Sequence, residues 1–184
     1  MKKIVTLVIL SALFSNYGFA YDNENRLKSS ITTGFSHSTV KASAQDLNDN
    51  PMGFNIKYRK DLTSNYGLIA SFTYTGMDKS YPATNSSLIL DLDYYSYMVG
   101  PTFRANEKIS VYGLVGMASG KAKALSAQNN KYTVILSESE TDIAYGAGLQ
   151  FDVSERFTID TSYEYAKFNE VKAGTWTVGV GYRF

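Results

Sequence analysis

The sequence contains no cysteine, only three prolines and a single histidine among its 184 residues. Without cysteine, neither a disulfide framework nor a thiolate metal centre can hold a small core together. After residue 20, no apolar stretch reaches the roughly 20 residues that a membrane-spanning helix requires. Acidic and basic residues nearly balance, with 17 and 18 respectively, which argues against nucleic acid as a partner.

Residues 1–20 have the features of a secretory signal peptide. Two lysines near the start precede the apolar stretch Ile4–Phe14, and the small residues Gly18 and Ala20 form a cleavage site. The apolar stretch is too short to cross a bilayer as a helix. We therefore predict a cleaved signal peptide over residues 1–20 and a mature domain over residues 21–184.

The mature sequence alternates bulky apolar and small or polar residues with a period of two, which is typical of β-strands with two different faces. An exported chain without a helical span is periplasmic, secreted or a membrane barrel, since only a closed barrel lets strands cross lipid with every backbone group paired. The 15 tyrosines and 10 phenylalanines suit the aromatic belts of a barrel. Eight segments alternate, and their bulky sets begin at Leu27, Phe54, Tyr66, Tyr95, Ile109, Ile143, Phe157 and Trp176.

The connections between these segments alternate in length, as they do between the periplasmic turns and external loops of outer-membrane barrels. We therefore predict an all-β fold, an eight-stranded antiparallel transmembrane β-barrel. The alternative is a soluble, lipocalin-like barrel with its apolar face inward, but the small-residue face carries the charges and makes the aromatic face the better lipid face. The short turns are Lys60–Asn65, Ala105–Lys108 and Asp152–Glu155, the long loops are Thr39–Pro51, Gly76–Ser87 and Lys121–Glu140, and Phe168–Ala173 is intermediate.

The last strand pattern runs to the end of the chain, where most proteins fray. Gly179, Tyr182 and Phe184 resemble the C-terminal assembly signal of bacterial outer-membrane barrels. This resemblance implies the barrel-assembly machinery as a partner and the bacterial outer membrane as the location, with loops facing outside. A closed barrel has no open edge within the membrane, so we expect a monomer.

Three blocks carry a family resemblance: 53–59, GFNIKYR, then 145–151, YGAGLQF, and the final stretch 174–184. The first resembles the second strand, and the other two resemble the end, of the OmpX/Ail/Lom family of small outer-membrane barrels. The resemblance implies contact with outer-membrane lipid and lipopolysaccharide, and candidate roles in adhesion, invasion, complement resistance and envelope integrity. It also implies central strands that protrude as an exposed sheet, with host extracellular-matrix or complement proteins as possible partners.

Charged residues on the small-residue face predict an ion network inside the barrel. An eight-stranded barrel is just wide enough to be filled by side chains, and small barrels of this family are a standard example of that rule. A plug of salt bridges is therefore a better interpretation than an ion pathway. The predicted members are Lys57, Arg59, Arg104, Asp160, Glu164 and Arg183.

Two segments break the phase of the alternation. Apolar residues there have even numbers, whereas the bulky set farther along each strand has odd numbers. Opposite phase places these side chains on the other side of the sheet, or indicates a bulge. We expect both segments to lie above the lipid and to form an extracellular binding surface, although packing beneath the loops is the alternative. The residues are Leu88, Leu90, Leu92, Tyr132, Val134 and Leu136.

The sequence offers little catalytic or metal-binding chemistry. His37 is flanked by Ser36 and Ser38, but alternate residues of a strand point to opposite faces. We therefore expect no catalytic residue, no cofactor and no metal, and loop lysines act only as unspecific charges toward phosphates or sulphated glycans. Three loop aspartates could suggest calcium but lack the spacing of a calcium-binding loop: Asp46, Asp49 and Asp78. The loop lysines are Lys41, Lys79, Lys121, Lys123 and Lys131.

The leading hypothesis is a non-enzymatic surface protein whose barrel anchors a protruding sheet that contacts host or matrix proteins. A purely structural barrel without a specific ligand is the alternative. A lipid-modifying enzyme that depends on His37 and a small pore are weaker hypotheses.

Overall fold

The computed structural model describes residues 28–42, 45–46, 50–83, 86–128, 131–168 and 171–184. Side chains are described at these positions except 42, 45–46, 79–83, 86–90, 124–128 and 131–136. The predicted signal peptide over residues 1–20 lies outside the described residues, as do Leu27, Asp49 and part of each upper connection. No helix in the described part of the chain is long and apolar enough to span a membrane.

The described residues form one closed antiparallel sheet. Each long strand pairs with the next long strand along the chain, and the last strand returns to pair with the first. One additional strand of two residues pairs only with the end of the first strand. The predicted eight-stranded antiparallel barrel is confirmed by the eight long strands, and the two-residue β2 is an addition that the sequence did not predict. The strands are β1 (Ser29–Ala42), β2 (Gln45–Asp46), β3 (Met52–Asp61), β4 (Tyr66–Ala83), β5 (Ser86–Arg104), β6 (Ile109–Gln128), β7 (Lys131–Asp152), β8 (Phe157–Phe168) and β9 (Val171–Arg183).

The barrel wall is apolar outside and polar inside. On β9, Val178 and Val180 are 61% and 65% exposed, whereas Thr177 between the outward residues is 1% exposed. The described members of the predicted bulky sets point outward on every long strand. Serines, threonines and charged residues make up most of the interior, together with inward apolar side chains such as Ile69, Met98 and Leu114. Because lipid is the environment that an apolar exterior requires, the soluble alternative with an inward apolar face is wrong.

Short turns and the chain terminus share one end of the barrel, which we call the lower end. Each turn is closed by a backbone hydrogen bond from residue i to residue i+4: Leu62 donates to Tyr66, Ala105 to Ile109, and Val153 to Phe157. Side chains near the turn add further bonds, as when the Ser154 hydroxyl accepts the Phe157 N–H. These are the predicted short connections.

At the opposite, upper end the connections differ from the prediction. Gly76–Ser87 and Lys121–Glu140 were predicted as long loops, but β4–β5 and β6–β7 remain paired through most of both ranges. The prediction of long loops there is wrong because residues of mixed polarity also form strands once lipid no longer selects one apolar face. Strands β4 to β7 are 18, 19, 20 and 22 residues long, whereas β3 and β8 have 10 and 12.

Candidate functional site

Strands β4 to β7 continue past their neighbours at the upper end. The β3–β4 pairing ends at Met52 and Gly76, and the β7–β8 pairing ends at Ala144 and Ala166. Beyond these positions, the four strands pair only among themselves in the described part of the chain. The protruding sheet consists of residues 76–83, 86–93, 121–128 and 131–143.

The outward face of β4 to β6 changes from aromatic to charged at one level. Tyr74 and Tyr95 pair directly, with their ring centroids 5.0 Å apart. One step above them, Asp93 of β5 lies opposite Lys121 of β6. Aromatic belts mark the edge of the lipid, so lipid contact ends at Tyr74 and Tyr95. At about 3.4 Å per residue, β4 continues for roughly 30 Å of strand length to its end at Ala83.

The first phase break contains no bulge, and Leu92, the member with a described side chain, faces inward. The β4–β5 register runs without a bulge from Tyr66–Phe103 to Ala83–Ser86, so Leu92 shares the inward face with Tyr94. Leu92 is half-buried and lines the inside of the barrel mouth. The backbone of Leu88 and Leu90 continues this register, and their side chains lie outside the described ones.

The second phase break contains a bulge. Ala124 pairs with Leu136 whereas Leu125 pairs with Val134, so Ile135 of β7 is an extra residue. Tyr132 pairs beyond this shift. The side chains of Tyr132, Val134 and Leu136 lie outside the described ones, so of the predicted binding surface only Leu92 has a described side chain.

Basic and acidic residues of β6 and β7 lie on opposite faces of the protruding sheet. Lys121 and Lys123 have the outward parity of β6, and the Lys121 ammonium lies 5.3 Å from the centroid of the Tyr95 ring. On β7, carboxylates at every second residue have the inward parity of the buried Ala144. The inward pairs are Asp142 with Ala118, Glu140 with Gly120, and Glu138 with Ala122.

Acidic residues dominate the outward face of β4 and β5. Asp78 and Asp91 pair directly across these strands, and Lys123 lies opposite Asp91 on β6. Partial burial, followed by repulsion from Asp93 and Asp78, raises the pKa of Asp91. The Tyr74 hydroxyl donates to Asp93 at 2.9 Å.

The predicted interior residues fall into two groups in the described part of the chain. The upper group surrounds the Lys57–Asp160 ion pair, which is fully buried with Nζ 2.7 Å from Oδ1. Tyr112 donates its hydroxyl to the Asp160 carboxylate at 2.8 Å. The Glu164 carboxylate accepts hydroxyl hydrogen bonds from Thr73 and Ser96, both at 2.8 Å.

The lower group pairs the three predicted arginines with two aspartates that we had assigned to turns. Asp61 contacts Arg59 at 2.7 Å and Arg104 at 3.4 Å. Asp152 contacts Arg104 at 2.8 Å and also accepts from Arg183. The inward parity of β3 and β7 extends to both aspartates, and this signal could have identified them. Asp160 and Glu164 are therefore not the salt-bridge partners of the arginines.

The lower group forms the base of an open cavity of about 870 Å³ at the lower end. The interior above it is filled by hydrogen-bonded polar side chains. Arg59 donates to Gln150 at 3.0 Å, and Lys57 donates to Ser162 at 2.9 Å. The described interior therefore resembles a plug of side chains rather than a channel.

A row of three lysines lies on the outward face at the upper end, and of these the sequence pointed only to Lys41. Lys172 of β9 pairs directly with Lys41 of β1 on one side and with Lys167 of β8 on the other. All three are exposed. Along β9, Lys172 lies four residues above Trp176, which is 58% exposed on the lipid-facing side. Lys41 and Lys167 lie at the same level as Lys172. Sequence separation hid this row, because only barrel closure brings β1 beside β9.

His37 lies on the outward face of β1, opposite Trp176 and Met52. The adjacent Ser36 and Ser38 point into the barrel, where Ser36 contacts Thr177 at 2.8 Å. Histidine and serine therefore lie on opposite sides of the wall, as we expected. Among the described residues, no group of three potential ligands is placed to hold a metal ion; the side chains of Asp46 and Asp49 are not among them.

The residues of the predicted assembly signal occupy the seam between β8, β9 and β1. Tyr182 and Phe184 face outward, are 44% and 53% exposed, and stack with centroids 6.4 Å apart. Gly179 pairs with Gly34 of β1 and Asp160 of β8. A Cβ at Gly179 would lie 2.6 Å from the Thr33 carbonyl oxygen, so the strands approach closely here.

Comparison with known proteins agrees with this geometry. The family model described as "Outer membrane protein beta-barrel domain" matches residues 6–184. The attachment invasion locus protein of Yersinia enterocolitica is 47% identical over 159 residues, which cover 85% of this chain and 86% of that protein. Outer membrane protein X of Enterobacter cloacae is 37% identical over the full length of both chains.

A solved structure shows the same fold. The crystal structure of Ail, the attachment invasion locus protein of Yersinia pestis, in complex with the heparin analogue sucrose octasulfate has 43% sequence identity and a TM-score of 0.79. The match covers 87% of this chain and 100% of that one. The relatives and the barrel place the protein in the bacterial outer membrane, with the protruding sheet outside and the short turns in the periplasm. The chain belongs to the OmpX/Ail/Lom family of small outer-membrane β-barrel proteins.

Proposed function

We propose that this virulence-type outer-membrane protein binds host or extracellular-matrix proteins through its protruding sheet. The observation that carries this proposal is the continued pairing of β4 to β7 for roughly 30 Å of strand length beyond the Tyr74–Tyr95 level. Strands of this length are unnecessary for closing the barrel, since the pairing with β3 and β8 ends well before their upper ends. The extra length brings the sheet within reach of large partners outside the cell.

The edges of the protruding sheet support binding by strand addition. In the described part of the chain, β7 pairs only with β6 from Lys131 to Ile143, and β4 pairs only with β5 from Met77 to Ala83. An open edge has backbone donors and acceptors in a row, and an extended segment of another protein adds to such a row as a new strand. We propose the longer β7 edge as the main site.

The relatives support contact with host polyanions as well. A homologous Ail structure holds a heparin analogue, and this chain carries exposed Lys121 and Lys123 on the outward face. Asp78, Asp91 and Asp93 lie on the same face, so we propose a weak, salt-sensitive interaction through these lysines.

Two further partners belong to the cell itself. The exposed row of Lys41, Lys167 and Lys172 lies just above the lipid-facing aromatics and suits the phosphates of lipopolysaccharide. The C-terminal strand with Tyr182 and Phe184 suits recognition by the barrel-assembly machinery. Both are proposals, and ammonium groups supply charge to phosphates without bidentate geometry.

We propose no catalytic step. The relatives are attachment and barrel proteins, and the geometry around His37 separates it from the neighbouring serines. The purely structural barrel remains the second candidate function, because the filled interior and the closed seam account for stability without any ligand.

Truncation of the protruding sheet distinguishes the two functions. Replacing residues 78–91 and 123–137 by Asn-Gly turns preserves the pairs Met77–Leu92 and Ala122–Glu138 and suits two-residue hairpins. We expect cells that carry this variant to lose binding to immobilised matrix and complement proteins. Heat-modifiable protein at the normal level in the outer membrane is the control for folding. Unchanged binding by the folded, truncated barrel would contradict the proposal and favour the structural function.

A further inference from the structure

A small cavity lies inside the upper mouth of the barrel, below the inward face of the protruding sheet. Its volume is about 220 Å³, smaller than the roughly 300–1,000 Å³ of pockets for drug-sized ligands. Tyr94 and Phe168 line it, each 6% exposed, and their rings meet edge to face with centroids 6.3 Å apart. Leu92, Val171 and Ala173 add apolar walls. The space therefore fits one aromatic ring.

The charge around this cavity is negative on the inside. Glu138 and Glu140 of β7 lie at its rim, and Asp142 follows at the next inward position. Lys121 also contributes to the rim, but its ammonium lies over the Tyr95 ring on the outward face. The Asp93 carboxylate likewise accepts from Tyr74 on that face.

The basic residues near the mouth whose side chains are described lie on the other side of the wall, whereas Lys79 of β4 pairs with Leu90 and has inward parity above the cavity. Lys123 has outward parity on β6, and Lys41, Lys167 and Lys172 form the outward row on β1, β8 and β9. In the described part of the chain, the inward side of the mouth thus combines an apolar floor with carboxylates above it.

We infer that this cavity binds a small organic cation that carries a single aromatic ring. The ring enters between Leu92, Tyr94 and Phe168, and the cation remains at the rim beside Glu138. Burial of the ring supplies most of the affinity, and the Glu138 carboxylate selects positive over neutral or negative molecules by Coulomb attraction. This site is independent of the strand edges and outward lysines proposed above for host proteins.

The probe is 2-(4-fluorophenyl)ethylammonium, titrated against the full mature barrel in phospholipid nanodiscs and followed by ¹⁹F NMR. We expect saturable binding with a fluorine shift that reports ring burial. Gly120→Val should weaken binding at least tenfold, because Gly120 lines the cavity and a Cβ there would lie 3.7 Å from the Phe168 ring, an ordinary contact. The added methyl groups then occupy the space intended for the ring.

Gly113→Val is the matched control, since it makes the same change on the same strand, where a Cβ meets nothing within 4 Å. We expect binding to Gly113→Val to equal that of the wild type. Equal weakening by both variants, or the absence of saturable binding to the wild type, would overturn the inference.

The charge of the ligand is tested separately. Glu138→Gln should weaken binding of the cation about twofold to fivefold, the range for an exposed ion pair, while Glu107→Gln at an exposed lower turn should have no effect. The neutral analogue 2-(4-fluorophenyl)ethanol should bind more weakly and should not respond to Glu138→Gln. Equally tight binding of the alcohol would overturn the assignment of a cationic ligand, whatever the result for matrix proteins.

Discussion

Ser29 and Phe184 exchange both backbone hydrogen bonds across the barrel seam. The Ser29 N–H donates to the Phe184 oxygen at 2.8 Å, and the Phe184 N–H donates to the Ser29 carbonyl at 2.9 Å. The β1–β9 pairing then continues from Ser30–Arg183 to Lys41–Lys172. Phe184 therefore belongs to the structure that closes the barrel.

Deleting Phe184 should lower the amount of folded barrel in the outer membrane. The deletion removes both hydrogen bonds with Ser29 and the outward ring that stacks on Tyr182. Heat-modifiable, protease-resistant protein in purified outer membranes measures the effect. Phe184→Leu keeps the backbone pair and isolates the role of the aromatic ring. A wild-type level of folded protein after the deletion would show that the seam does not need its last residue.

Replacing Lys57 by methionine should destabilise the barrel by about 3–5 kcal/mol, because it leaves the buried Asp160 carboxylate without its cation. The double variant Lys57→Met/Asp160→Asn should recover part of this loss, since an amide still accepts the hydrogen bond from Tyr112. Urea-unfolding midpoints in detergent micelles measure the changes.

Lys60→Met is the matched control for Lys57→Met, since Lys60 lies on the same strand but is exposed. We expect its free energy of unfolding to change by less than about 0.5 kcal/mol. Similar destabilisation by both lysine variants would argue against an essential interior ion pair.

Substitution by alanine should change the stability of the barrel differently at two glycines on neighbouring strands. A Cβ at Gly100 would lie 1.8 Å from the Gly113 carbonyl oxygen, whereas a Cβ at Gly113 would meet nothing within 4 Å. We expect Gly100→Ala to cost about 1–3 kcal/mol or more because the backbone must shift, and Gly113→Ala to be tolerated. The same unfolding measurement tests both, and equal stability of the two variants would refute the close approach of β5 and β6.

The stability of the protruding sheet should fall as pH rises through the range where Asp91 ionises. Burial and the neighbouring aspartates raise the pKa of Asp91 in the folded state, so the folded sheet retains this proton at pH values where the unfolded segment has lost it. Stabilisation from the proton is therefore complete below the unfolded pKa and is lost above the folded one.

Amide hydrogen exchange of β4 and β5 above Tyr74, corrected for intrinsic rates, measures this dependence. We expect greater protection near pH 4 than at pH 7, and Asp91→Asn should be well protected at both. Asp142→Asn on the inward face of β7 is a comparison that leaves the Asp78–Asp91 pair intact. A wild-type profile that does not change with pH would contradict the role of Asp91.

Sequence patterns predicted the faces of the wall well. A period of two assigns each residue of a strand to one side, so Lys57 and Asp160 were placed inside and Val180 outside before any contact was known. The same rule extends to Asp61 and Asp152, but turn propensity led us to assign both to connections. The family resemblance was confirmed by the family model and by the relatives.

The sequence alone therefore determined the compartment, the number of long strands and the side of the wall for most side chains within the lipid-facing part of the barrel. These properties follow from local alternation and from terminal segments, which need no knowledge of distant partners. Only the tertiary structure decided which inward residues meet, because height along the barrel depends on register between strands and on closure of β9 against β1. Closure made Lys41 a neighbour of Lys172, and register set Lys57 against Asp160. The inward apolar cavity between Leu92 and Phe168 arose in the same way, from strands that are distant in sequence.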